Sequence, residues 1–92
     1  MEERQIEHKL IKAVKAVGGI APKLTSPGFG GMPDRIILLP GGRIAFVEVK
    51  RHGMKPRPLQ ETRHGLLRRL GFKVYLLDCP EQINQILEDI KT

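Results

Sequence analysis

Pro33-Asp34-Arg35-Ile36-Ile37-Leu38-Leu39-Pro40-Gly41-Gly42-Arg43-Ile44-Ala45-Phe46-Val47-Glu48-Val49-Lys50 is the stretch that decides the fold. Two β-branched and aliphatic runs flank Pro40-Gly41-Gly42, which has the composition of a tight turn, so the segment predicts a hairpin of strands Asp34–Leu39 and Arg43–Lys50. With a three-residue loop that contains a glycine in the left-handed conformation, Leu39 opposes Arg43 and Asp34 opposes Glu48. Directly opposed residues share a face. Alternation along the strand sends Glu48 and Lys50 to that same side, about 7 Å apart, with Val49 turned away. Two carboxylates and an amine therefore converge at one end of the hairpin.

Both faces of the hairpin are apolar: Ile36, Leu38, Ile44 and Phe46 on one, Ile37, Leu39, Ala45, Val47 and Val49 on the other. A sheet of this kind has to be covered on both sides, which predicts flanking helices. The first is expected over Glu3 to Val17, with Ile6, Leu10, Val14 and Val17 as its stripe and Gly18-Gly19 as its end. Ile20 to Leu24 is expected as a short strand, and the loop Thr25 to Pro33 leads into Asp34. After a basic loop, Arg51 to Arg57, Pro58 opens a helix carrying Leu59, Leu66, Leu67 and Leu70 and closed by Gly71. Phe72 to Leu77 is a strand, expected parallel to Arg43–Lys50 because a helix joins them. Asp78 is expected to cap the last helix, with Pro80 in its first turn, Glu81 at the capping-box spacing, and Ile83, Ile86, Leu87 and Ile90 buried. The predicted order is αβββαβα, a three-layer α/β/α sandwich with a mixed central sheet.

A chain of 92 residues with 40% hydrophobic content suits one small domain over residues 1–92 with a marginal core. No apolar run approaches the ~20 residues that span a bilayer, so no membrane partner is expected. The start Met1-Glu2-Glu3-Arg4-Gln5 lacks a signal-peptide pattern and the lone Cys79 has no internal partner, which points to a reducing, cytoplasmic compartment. The net charge is +6, and between Lys50 and Lys73 eight Lys and Arg face the single acid Glu61. Such a face suits a polyanion, through phosphate contacts that release counterions. It also suits a merely solvated surface. The four aromatics are too few for a base-stacking platform, so contact with the nucleic-acid backbone is the expectation, with Arg51, His52, Lys55 and Arg57 as the contacting residues.

Phosphodiester hydrolysis needs a divalent cation to activate water and to offset charge building on the phosphate, and Mg²⁺ is held by one or two carboxylates. Asp34 and Glu48 supply these, the Val49 carbonyl adds a neutral oxygen, and Lys50 can handle the attacking water or the transition-state charge. Each residue alone reads better as part of an exposed ion pair or as a turn residue. Their conjunction on an otherwise apolar face does not, because burying opposed carboxylates without a cation is costly. His8, His52 and His64 show no zinc-ligand spacing, and Gly28, Gly30 and Gly31 lack the Lys-Ser/Thr pair of a phosphate loop.

Gly31-Met32-Pro33-Asp34, Phe46-Val47-Glu48-Val49-Lys50, Lys55 and Gln60 together resemble the signature of the VRR-NUC (virus-type replication-repair nuclease) family, within the PD-(D/E)xK nuclease superfamily, over nearly the whole chain. The resemblance implies a restriction-endonuclease-like α/β core and a Mg²⁺- or Mn²⁺-dependent DNA endonuclease. Asp34 and Glu48 would bind metal, Lys50 would be the catalytic amine, Gln60 would support the site, and Glu7 would reach in from the first helix. On position alone, Glu7 also reads as an acid favoured near a helix N-terminus and Gln60 as a solvated residue of a first helical turn. Small stand-alone members resemble dimeric four-way-junction resolvases, which implies a homodimer acting on branched DNA. A flap, restriction-type or RNA-directed nuclease, and a non-catalytic DNA-binding module, are the alternatives.

Overall fold

Helix α1, Glu3–Ala16, forms where Ile6, Leu10 and Val14 recur at helical spacing, and all three are fully buried. Each such side chain contributes about 1.5–3 kcal/mol of burial. The computed structural model describes Met1–Thr92. Its remaining elements are strands β1 (Arg35–Leu39) and β2 (Arg43–Val49), helix α2 (Pro58–Arg69), strand β3 (Lys73–Leu77), a 3₁₀ turn (Pro80–Gln82) and helix α3 (Ile83–Lys91). No helix is long and apolar enough to cross a membrane.

The sheet order is β1-β2-β3, with β1 antiparallel and β3 parallel to the central β2. Leu39 pairs with Arg43 and Arg35 with Val47, the register expected for a three-residue loop. The turn closes through Gly41 and Gly42 at φ +86° and +74°, a conformation that costs glycine little. Ile37, Leu39, Ala45, Val47 and Val49 face α1 and α3, where they form the main core with Ile6, Leu10, Val14, Ile83, Ile86, Leu87 and Ile90. Phe46 and Val74 face α2 and meet Leu67, with Ile36, Leu24 and Met32 at the margin. The result is a helix layer on each side of a mixed sheet, a restriction-endonuclease-like α/β/α arrangement.

Three local readings need correction. Ile20 to Leu24 is not a fourth strand: it runs beside β1 through isolated bridges of Ile20 with Leu38 and Lys23 with Arg35. Pro22 accepts from the Ile36 N–H but has no N–H to return, so the ladder is interrupted at its middle. The buried face of α2 is Gln60, His64 and Leu67, while Leu59 and Leu70 are 49% and 64% exposed. Asp78 does not cap α3. The chain first makes the 3₁₀ turn at Pro80, and Asp78 Oδ2 instead accepts the Gly53 N–H at 3.1 Å, tethering the basic loop to the end of β3.

Candidate metal and phosphate site

The site lies where the last residues of β2 pass the first residues of β1. Continuing the β1–β2 register by one step sets Asp34 beside Glu48, and Asp34 Oδ2 accepts the Val49 N–H at 3.1 Å. The Lys50 N–H bonds the Leu77 carbonyl of β3 at 2.9 Å, so Val49 presents its own N–H and C=O to the opposite edge, toward Asp34. One side-chain carboxylate and one main-chain carbonyl are thus aimed at the same gap.

Glu48 is 1% exposed, on the face of the sheet covered by α2. Its Oε2 accepts from Gln60 Nε2 at 3.0 Å and lies 3.6 Å from Lys50 Nζ. Gln60 is fixed in turn because its Oε1 accepts the Arg57 N–H at 2.8 Å, in the first turn of α2 behind Pro58. Glu48 Oε1 has no hydrogen-bond partner; it faces His64 Nε2 at 3.9 Å, which also has none. Burial, then the charge of Asp34, push the Glu48 acid up to about 7 against the opposing pull of Lys50. Burial, then Arg68, hold His64 below its ordinary value, so the imidazole is neutral near pH 7 and makes no ion pair with Glu48.

These atoms suit a divalent cation. A buried carboxylate oxygen without a partner, beside a second carboxylate and with a proton affinity raised into the neutral range, marks a cluster short of positive charge. Lys50 supplies part of that charge at a distance too long for a hydrogen bond. No cluster of three or more His, Cys, Asp or Glu side chains is assembled, which leaves the donor set at two carboxylates and a carbonyl. Hard cations that keep several waters need no more.

Asp34, Glu48, Lys50, Val49 and Gln60 are therefore brought together, whereas Glu7 is not. Glu7 lies in the α1 layer on the other side of the sheet, where Arg35 Nε donates to its Oε2 at 3.0 Å and Arg35 Nη1 donates to the Ala21 carbonyl at 3.1 Å. The acids that share a cleft with Lys50 are Glu2, the N-cap of α1, and Glu3 in its first turn; Arg4, Arg51 and Met54 complete its lining. Arg51, His52, Lys55 and Arg57 are all exposed on the loop between β2 and α2. His64 is the residue that sequence reasoning missed. It stands four residues after Gln60 and three before Leu67, the spacing of a single helical stripe, and that periodicity was the available signal.

No protein-family model matches the chain. It is 47% identical over 81 residues to "Putative nuclease p44" of Acyrthosiphon pisum secondary endosymbiont phage 1, covering 88% of this chain and 87% of that protein. Among solved structures it is similar to one described as a VRR_NUC domain, with a TM-score of 0.88, 33% identity and 94% of each chain covered.

Proposed function

Because this chain belongs to the VRR-NUC family of nucleases, we propose that it is a Mg²⁺- or Mn²⁺-dependent endonuclease that cuts branched DNA, such as four-way junctions, as an intracellular homodimer. The observation that carries the metal-dependent chemistry is Glu48: a carboxylate 1% exposed, beside Asp34, with one oxygen unpartnered. Asp34, Glu48 and the Val49 carbonyl would hold the cation. When bound, the ion lowers the pKa of a water molecule and offsets the charge that develops on the phosphate.

The chain's own groups do the rest. Lys50 Nζ, partly exposed and 3.6 Å from Glu48, orients the attacking water and stabilises the pentacovalent phosphate as its charge grows. Gln60 locks Glu48 Oε2 against the start of α2, so the carboxylate does not swing as substrate enters. Glu7 acts as a positioning residue, holding Arg35 and through it the start of β1 that carries Asp34. Arg51, His52, Lys55 and Arg57 meet DNA phosphates beside the catalytic strand.

Support for the dimer comes from the other end of the same sheet face. Ile20 bridges Leu38, Leu38 pairs with Ile44, and the β2–β3 register sets Ile44 beside Phe72, so four apolar residues form one row across the sheet. Ile20, Ile44 and Phe72 are 59%, 42% and 39% exposed, and the exposed Leu70 lies two residues before Phe72 at the end of that row. The row contains no Lys or Arg, so two chains of net charge +6 can approach there without opposing charges. Ile44 and Glu48 are four strand residues apart, about 13 Å, which leaves both sites clear of the shared face.

Labelled four-way, flap, duplex and single-stranded substrates, each with and without Mg²⁺ or Mn²⁺, test the reading. Metal-dependent cutting of the junction is expected, and Asp34→Asn, Glu48→Gln and Lys50→Ala should each abolish it while DNA binding persists. Their losses should not add, since the groups act as a unit. Retention of more than a few per cent of the rate by all three variants removes the site assignment, and equal cutting of duplex and junction removes the substrate.

A further inference from the structure

Phe29 is the one aromatic ring that the fold does not use. Phe46 is buried and Phe72 stacks edge-on against it, with ring centroids 5.6 Å apart, while the Tyr75 hydroxyl donates to Asp89. Phe29 is 43% exposed on the glycine-rich loop that leads into Asp34. It is nevertheless held. Arg63 Cζ sits 3.9 Å from the ring centroid, and the same guanidinium donates through Nε to the Gly30 carbonyl at 2.9 Å. The loop behind the ring is pressed onto α2: a Cβ on Gly31, whose φ is +85°, would lie 2.7 Å from the Leu59 carbonyl oxygen. An exposed ring with a cation over it and a pinned backbone beneath it is preorganised.

Its location gives the ring a ligand class. Arg63 lies one turn after Gln60 and next to His64, the two α2 residues that face Glu48. Phe29 precedes Asp34 by five residues, which bounds the separation at about 18 Å, the span of a few nucleotides. Arg63 beside the ring is cationic, and Lys55 and Arg57 lie exposed on the loop that leads into α2, charges of the sign that a phosphate backbone requires. Inside a continuous duplex a paired base keeps both faces in the stack, so there it is an unpaired base that is free to lie on a protein ring.

We propose that Phe29, backed by Arg63, is a stacking site for one unpaired nucleobase of the DNA strand held at the Asp34–Glu48 centre. This rests on the nuclease reading above and supplies its discrimination: branched, nicked or frayed DNA offers a free base there, and continuous duplex does not. A single ring gives no base-specific hydrogen bonds, so the preference is for structure and not for sequence.

The test places the fluorescent base 2-aminopurine at successive unpaired positions of a branched substrate and follows binding to the full chain in Ca²⁺. The wild type should quench one position selectively. Phe29→Ala should abolish that quenching and weaken binding to the branched DNA roughly tenfold, with affinity for duplex of equal length and urea stability unchanged. Phe29→Trp should restore both effects, and Phe29→Leu, which keeps bulk without an aromatic face, should not. Equal behaviour of the Ala, Leu and Trp variants, or equal loss on branched and duplex DNA, overturns the stacking site. A wild type that binds and cuts DNA with no position quenched overturns it while leaving the nuclease intact, whereas a wild type with no affinity for either DNA overturns both.

Discussion

Replacing Glu48 by glutamine should stabilise the metal-free protein at alkaline pH and leave it unchanged at acid pH. Glu48 is an acid of ordinary value 4.5 raised to about 7 by burial and by Asp34. The folded state therefore binds its proton more tightly than the unfolded state does, and between those two values stability falls as pH rises. Below about pH 4.5 both states are protonated and no penalty exists. Above pH 7 the folded chain holds a buried carboxylate, at a cost of about 3 kcal/mol, worked at about 1.4 kcal/mol per tenfold change in proton affinity. Glutamine has the shape of the protonated acid and cannot ionise. Urea unfolding of wild type and Glu48→Gln in EDTA should give curves that coincide near pH 4.5 and separate toward about 3 kcal/mol by pH 8. Mg²⁺ at pH 8 should then raise the wild type alone, because ion binding compensates the same charge. A pH-independent difference, or a variant less stable than wild type at pH 8, would refute the account of Glu48 as an uncompensated buried charge.

Gly31→Ala should cost about 1–3 kcal/mol in urea unfolding, since φ +85° and the 2.7 Å approach to the Leu59 carbonyl both oppose a Cβ; a neutral result would mean that the loop is not pinned to α2. DNA affinity should fall steeply with salt, and Lys55→Ala or Arg57→Ala should each lower the slope of log K against log salt by about one, as measured by fluorescence anisotropy. An unchanged slope would place these residues off the phosphate path. Ile44→Glu or Phe72→Glu should convert a dimeric mass in light scattering to a monomeric one with the fold retained, and a wild type that is already monomeric at micromolar concentration would defeat the pairing.

Residue alternation and turn length made the hairpin legible. Once Gly41-Gly42 sets the loop, the partner of every residue in β1 follows, and with it the meeting of Asp34, Glu48 and Lys50. The same reading lost the interrupted fourth strand because Pro22 removes one donor while leaving the extended shape, a difference that hydrophobic pattern does not record. It misjudged α2 for a deeper reason. Four leucines suggested the buried face, yet two of them are largely exposed, and the inward stripe is Gln60, His64 and Leu67. A helix covering a sheet normally buries its most apolar side, but here the sheet presents Glu48, and a leucine laid over that carboxylate would bury it without any donor. Gln60 supplies the donor, and His64 a neutral polar surface beside the second oxygen. A charge on a strand thus changes which pattern is favourable on the helix opposite. The apolar periodicity of α2 is legible only after the carboxylate it covers has been placed, and the covering stripe then adds His64, which the sequence motif does not contain, to Gln60, which it does.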